Sequence, residues 1–422
     1  MEKTLLNSTI IMNLKERILQ GDKEALQEFW DNTLSNGTPI IETIDGDSEN
    51  ALVTFVYKAD EEIENIVLLP PIGRENLLEN KMEKLLDTNL WYITYKVRND
   101  VRFKYSLSVN DSFDDDDWTK RWEELIYDKL NKNILTFKGE DGKEDEIESY
   151  VVMPKAKEHF WVKERKGISK GKIYEYQLHS ESLEKKRRIR VYTPYGYRQG
   201  NKPYKFLVLT DGDEYINVLS AVTVLDNLIA EGKIPPIITI FVDSPEETRE
   251  DELSCNDIFS DIIIKDLIPW IRANYNISNK ANEAIIGGLS SGGLTASYLG
   301  LKHSEVFGNV LSQSGSYWYK PETYEGSPLD CWLSTRFEAI DKLPLKFYLD
   351  VGVLEHKQGM IGTNIKLKDV LMSKGYTAHF EYFNSGHDYL SWGETLANGL
   401  ISLIGIKSES TIYIEESSDV CD

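Results

Sequence analysis

Only three cysteines occur in the 422 residues, at positions 255, 331 and 421. Their odd number and wide spacing exclude a disulfide framework, and no two stand at metal-ligand spacing. Cys255 and Cys331 are therefore expected to be reduced structural thiols, and Cys421 to lie in a tail. Positive charge is also scarce: 48 lysines and arginines face 70 aspartates and glutamates, a formal net charge of -22. Nucleic acid and anionic membrane both require a basic surface, so neither is expected as a partner. No apolar run approaches the ~20 residues of a membrane-spanning helix. The start, Met1 to Leu6 leading into Lys15, Glu16 and Arg17, lacks the apolar core and cleavage site of a secretion signal, which predicts a cytoplasmic protein.

What remains is an ordinary globular composition, 41% hydrophobic and 28% charged, in a chain long enough for two cores. The first half, residues 1–165, opens with a helix over about Asn13 to Asn32, with Leu14, Ile18, Leu26 and Phe29 on one face. Short β-branched and aromatic runs follow at 52–57, 66–69, 91–97 and 103–107, separated by polar turns. Such a series predicts a small all-β, immunoglobulin-like sandwich. Arg98 and Arg102 flank the turn after the third run, where they could pair locally or reach an anionic substrate. Asp114 to Asp117 reads as a solvated loop, since a calcium loop needs regular ligand spacing and a glycine. A linker is expected near Gly139 to Lys172.

From about residue 170 to 405 the pattern changes. Two strands at 174–178 and 188–192 look like an edge pair, and apolar strands then alternate with amphipathic helices: 206–209, 237–242, 284–289, 310–312, 345–349 and 379–383. Alternation of this kind predicts a doubly wound α/β sheet, whose reactive groups gather at the C-terminal strand ends. Pro269 should kink or interrupt the helix expected over 258–274. Residues 406–422 read as an acidic tail.

The third of these apolar strands ends in Gly288-Leu289-Ser290-Ser291-Gly292, a G-x-S-x-G at a strand-to-helix turn. A nucleophile there has unfavourable backbone dihedrals and crowded flanks, and glycine at 288 and 292 meets both demands. Ser290 is the candidate nucleophile. Of six histidines, only His387 lies in a glycine-flanked loop after the last strand, where an imidazole can serve as its base. Either Glu355, in the loop after the 345–349 strand, or Asp350, at that strand's end, could orient the imidazole, or a Ser–His pair could suffice. The order Ser, acid, His is that of α/β-hydrolases. Backbone N–H groups of Ser291 and Asp213 are the candidate oxyanion donors, provided that the Asp213 and Glu214 carboxylates point away. No cofactor or metal is needed for this chemistry.

The second half resembles the enterochelin (enterobactin) esterase family, within the esterase D group. The resemblance is carried by Gly288 to Gly293, by Phe307 to Trp318 (FGNVLSQSGSYW), by Gly386-His387-Asp388 with Trp392, and by Arg249 to Leu253 with Cys255-Asn256. Gly37 to Glu42, the 53–57 strand and Asn131 to Asn133 extend it to the N-terminal substrate-capping domain of that family. The resemblance implies an α/β-hydrolase that cleaves the esters of a tris-catecholate trilactone siderophore and so releases iron. It also implies Ser290 and His387 as catalytic residues, Glu355 at the acid position, and Arg249 and Trp318 at the substrate, Arg249 alternatively as a partner of Glu252. Two other functions remain open: an esterase of the same fold acting on feruloyl or acetyl carbohydrate esters, and a siderophore-binding protein without turnover.

Overall fold

Alternating apolar residues in the first 155 positions build two small sheets around one core. The computed structural model describes residues 2–3, 7–71, 77–114, 118–139, 142–180, 185–200 and 202–406. Asp115 to Asp117 and the tail from 407 with Cys421 lie outside them. One sheet contains β1 (Glu2–Lys3), β2 (Ile40–Ile44), β3 (Asp47–Lys58), β5 (Glu83–Lys84) and β6 (Leu90–Arg98), ordered β1-β6-β3-β2 with β5 on β6. The other has the order β4-β7-β9-β8, with β4 (Ile66–Leu69), β7 (Arg102–Val109), β8 (Ile134–Phe137) and β9 (Glu146–Val152). Val53, Phe55, Ile93 and Tyr95 from the first meet Ile66, Leu68, Phe103 and Tyr105 from the second. The rings of Phe55 and Tyr105 stand edge to face at 4.6 Å. This is the expected sandwich.

Its outer face departs from an all-β layer. The single opening helix of the sequence reading is two, Thr9–Leu19 and Ala25–Asn36, because Gly21 at φ +88° turns the chain between them. Both cover the first sheet, where Ile11, Leu14, Phe29 and Trp30 bury Val56 and Leu90. The linker is also shorter than expected, since β9 pairs with β7 from Arg102↔Val152 to Tyr105↔Ser149.

The second half forms an eight-stranded sheet from β10 (Lys172–Ser180), β11 (Lys185–Thr193), β12 (Lys205–Leu209), β13 (Ile237–Val242), β14 (Ala284–Leu289), β15 (Asn309–Gln313), β16 (Lys346–Gly352) and β17 (Thr377–Phe383). The order is β10-β11-β13-β12-β14-β15-β16-β17, with β10 and β11 antiparallel at one edge and parallel pairing from β13 to β17. Alternate residues face opposite layers. Val208, Ile240, Ile286 and Val310 pack under the helices from 257 to 302, while Leu207, Phe241, Ile285 and Leu311 pack under Ala221–Ala230 and Trp392–Ile404. The fold is the doubly wound α/β-hydrolase sheet that the sequence predicts. The interruption expected at Pro269 occurs one step earlier, as a wide turn over Ile262–Leu267 before the helix Ile268–Asn274. Among the described residues, no helix is long and apolar enough to cross a membrane.

Candidate active site

β14 is buried along its whole length and delivers Ser290 to the N-terminus of the helix Ser291–Lys302. Ser290 sits at φ +54°, ψ -122°, a region that costs an L-residue on the order of 1–3 kcal/mol. The surrounding backbone holds it there. Its N–H donates to the Gln313 carbonyl at 2.8 Å, and its own carbonyl accepts from Leu294 and Ser316, both at 3.1 Å. The two glycines are required by close approach. A β-carbon on Gly288 would lie 2.5 Å from the Gly292 backbone, and one on Gly292 would lie 2.3 Å from Thr210 Oγ1.

The sheet then brings the other loops to the hydroxyl. His387 Nε2 lies 2.9 Å from Ser290 Oγ, and His387 Nδ1 lies 2.9 Å from Glu355 Oε2. Glu355 is buried, with Oε1 accepting from Gly352 N–H at 2.7 Å and Ser314 Oγ at 2.6 Å. With every oxygen of the carboxylate engaged, the imidazole is fixed with Nδ1 donating and Nε2 accepting. Trp392 stacks edge-on against the His387 ring at 5.1 Å and donates from Nε1 to Ser314 Oγ at 3.1 Å. Asp350, the other acid considered from sequence, faces elsewhere. It is fully buried, accepts from the Ser314 N–H at 3.1 Å, and burial pushes its carboxyl well above the usual range.

On the opposite flank, Asp211 begins the helix Gly212–Asn217 at φ +52°. A β-carbon on Gly292 would meet Thr210 Oγ1 at 2.3 Å and Asp211 Oδ2 at 3.0 Å, so this turn packs against the start of the Ser291–Lys302 helix. The Asp213 carboxylate lies 2.9 Å from Arg190 and 3.5 Å from Arg188. Ser291 Oγ donates to Glu250 at 2.9 Å. Glu214 is pushed up to about 7 by burial and by the neighbouring Asp211 and Asp213, against a lowering contribution from its own N–H and from Arg249.

Arg249 differs from expectation. Its partner is Asp211, gripped in two hydrogen bonds of 2.7 and 3.0 Å, with a further bond to Glu250. Glu252 instead pairs with Arg187. A fork whose donors already face two carboxylates has little left for a third anion. Trp318 is 44% exposed, two residues beyond Ser316, whose Oγ lies 3.2 Å from that of Ser290.

Sequence reasoning assigned no role to Ser314, Ser316, Asn384 or Ser385. The first two lie in the S-x-S that follows β15, a small polar pair at a C-terminal strand end, which is the signal that could have found them. The other two join the histidine loop to the sandwich. Arg102 N–H donates to the Asn384 carbonyl at 3.1 Å, Ser385 Oγ donates to the Arg102 carbonyl at 3.0 Å, and Asn384 Nδ2 donates to Asp100 at 2.9 Å. Leu354, next to Glu355, is buried in the sandwich core. Arg98 pairs with Asp100 at 2.7 Å, the local pairing considered from sequence. Among the described residues, no three His, Cys, Asp or Glu side chains converge to hold a metal ion.

The chain matches the Esterase family over residues 180–403 and the family described as enterochelin esterase, N-terminal, over residues 52–162. It is 28% identical over 345 residues to the iron(III) enterobactin esterase of Escherichia coli K12, covering 78% of this chain and 83% of that one. To the iron(III) salmochelin esterase of Escherichia coli O6:H1 it is 24% identical over 414 residues, covering 94% and 98%. The structure is similar to that of the Shigella flexneri enterobactin esterase crystallised in the presence of enterobactin, with a TM-score of 0.71, 25% identity, and coverage of 87% and 96%.

Proposed function

Because the chain belongs to the enterochelin esterase family, we propose that it is a serine esterase that hydrolyses the ester bonds of an enterobactin-like, tris-catecholate trilactone siderophore. In this reading residues 1–165 form the substrate-capping domain and 170–405 the catalytic domain, and cleavage in the cytoplasm releases the iron carried by the substrate.

The observation that carries the chemistry is the unbroken hydrogen-bonded line from Ser290 through His387 to Glu355, with both links at 2.9 Å. Ser290 attacks the ester carbonyl while His387 Nε2 takes the hydroxyl proton. Glu355 holds the imidazole in the required tautomer and stabilises the imidazolium as it forms. The backbone N–H groups of Ser291 and Asp213 receive the oxyanion, an interaction worth about 3–4 kcal/mol per donor. The tetrahedral intermediate collapses, and His387 passes its proton to the departing alkoxide. Water then attacks the acyl-enzyme, losing a proton to His387, and Ser290 leaves with that proton.

A second reading has one observation in its favour. Arg249, whose partner Glu250 also bonds Ser291, is held between Asp211 and Glu250 in a protein of net charge -22, which suits an uncharged ester such as a feruloyl or acetyl carbohydrate ester better than an anionic chelate. One experiment separates the two. The ferric trilactone, a feruloylated sugar and a short-chain nitrophenyl ester are each incubated with the wild type and with Ser290→Ala, and the products are resolved chromatographically. Trilactone cleavage that falls by a factor on the order of 10⁴ or more in the variant supports the siderophore esterase. Turnover of the feruloyl ester alone moves the substrate to carbohydrate esters, and near wild-type activity in Ser290→Ala overturns the mechanism.

A further inference from the structure

Behind the histidine loop a partly open cavity of about 220 Å³ separates the sandwich from the eight-stranded sheet. Arg102 and Tyr150 reach it from the sandwich, His159 from the connecting segment, and Leu219 and Tyr389 from the larger sheet's loops, with Leu135 closing one wall. Ser290, His387 and Glu355 do not line it.

Its polar groups are poorly matched to one another. Arg102 donates to the Lys157 carbonyl, and among the described residues no carboxylate lies within ion-pair distance of its guanidinium. Asp388 and Glu394 are near enough to favour the charge but make no ion pair with it. Asp388 Oδ1 accepts from the Leu390 N–H at 3.1 Å and shares the Ser385 hydroxyl, 2.9 Å away, with the Arg102 carbonyl, while its Oδ2 has no partner among the described residues; Glu394 Oε2 accepts from the N–H groups of Phe160 and Trp161 at 3.0 and 2.8 Å. Burial leaves Arg102 below its usual pKa despite both. Burial, with Arg102, Lys157 and Lys163 nearby, pushes His159 down to about 3, so this imidazole is neutral at neutral pH. The hydroxyls of Tyr150 and Tyr389 have no hydrogen-bond partner among the described residues. A half-buried guanidinium without a contacting counter-ion is a standing cost that a bound anion removes.

The remaining surface fixes what kind of anion. Leu135, Leu219 and the Tyr389 ring, itself edge-on to Phe137 at 5.1 Å and Trp392 at 5.2 Å, make apolar walls. An apolar cavity of roughly 150 Å³ holds benzene, so this one has room for a ring and a carboxylate. We propose that the cavity is a second binding site, for a small aromatic carboxylate whose two oxygens meet the Arg102 fork while its ring lies among Leu135, Leu219 and Tyr389. This site does not depend on the identity of the ester cleaved at Ser290.

The test is calorimetric titration of the full chain with benzoate, and with benzyl alcohol as the uncharged ring. Benzoate should bind once per chain, and benzyl alcohol at least tenfold more weakly. Arg102→Met should weaken benzoate at least tenfold, as should Leu135→Trp, which fills the ring position from another wall and serves if the arginine variant fails to fold. Trp318→Ala, altered on the catalytic side, should leave the affinity within threefold. No saturable benzoate binding to the wild type, equal binding of the alcohol, or a loss of less than tenfold in whichever of the two cavity variants folds would overturn the proposal, and a loss in Trp318→Ala would move the site to the catalytic cleft.

Discussion

Ser290 and His387 meet across 2.9 Å, yet their two sides are held in place differently. On the nucleophile side every support comes from the eight-stranded sheet: the Gln313 carbonyl, the N–H groups of Leu294 and Ser316, and the close approach of Gly292 to Thr210. On the acid–base side the loops lean on the sandwich. Leu354 is buried in its core, and Asn384 and Ser385 are bonded to Asp100 and Arg102. A strained elbow needs stiffness in the few residues around it, which a buried strand and a helix start provide. Longer loops carry more backbone entropy to lose, at about 1–2 kcal/mol per ordered residue, and a second surface to dock on offsets that loss. The sandwich therefore acts on the proposed base as well as on whatever it covers.

The comparison can be broken most severely at its acid end. Glu355→Gln retains the shape but inverts the tautomer demanded of His387, and should lower kcat by about 10⁴-fold with unfolding unchanged, read by steady-state kinetics and thermal melting. On the nucleophile side, damage should instead appear as lost stability. Gly292→Ala forces a methyl against Thr210 Oγ1 and should cost about 1–3 kcal/mol in urea unfolding. Asn384→Ala removes a docking bond without touching the site and should lower kcat about tenfold, KM changing less than twofold. If docking is the cause, Asp100→Ala should add little to it, so a strictly additive double mutant would refute the seam.

The smallest effect concerns Glu214, on the nucleophile side. Its folded carboxyl titrates near 7 rather than 4.5, so the folded chain holds this proton more tightly than the unfolded one. Its contribution is intact below about 4.5 and is lost as the pH rises toward about 7. Glu214→Gln should therefore match wild-type stability at pH 4.5 and exceed it by on the order of 1 kcal/mol at pH 8, measured by melting across that range.

The same division governs what could be read in advance. Ser290 was legible because its determinants are adjacent in sequence: an apolar run, two glycines and a small-residue helix. The larger sheet was legible for a similar reason, since strands buried on both faces appear as continuous apolar runs. The acid was left between Asp350 and Glu355, because only the pairing of β16 with β15 turns the first inward to Ser314 and leaves the loop to carry the second. The seam between Asn384 and Asp100 joins residues 284 apart and has no local signature. Strands β2, β8 and β9 escaped because charged residues such as Glu42 and Glu148, which the fold pairs with Ser8 and Lys104, break up their apolar runs. Arg249 was expected at the substrate or on Glu252, while the fold offered it Asp211, a partner 38 residues away with no local signature.

The seam also sets an order in time. Synthesis runs from the N-terminal side, and a sandwich completed by β9 can fold while the histidine loop is still unmade. At 5–20 residues per second the interval between Asp100 and Asn384 is roughly half a minute. The histidine loop then emerges onto a finished dock, so the Ser290 hydroxyl meets the proposed base only when both halves of the molecule are in place.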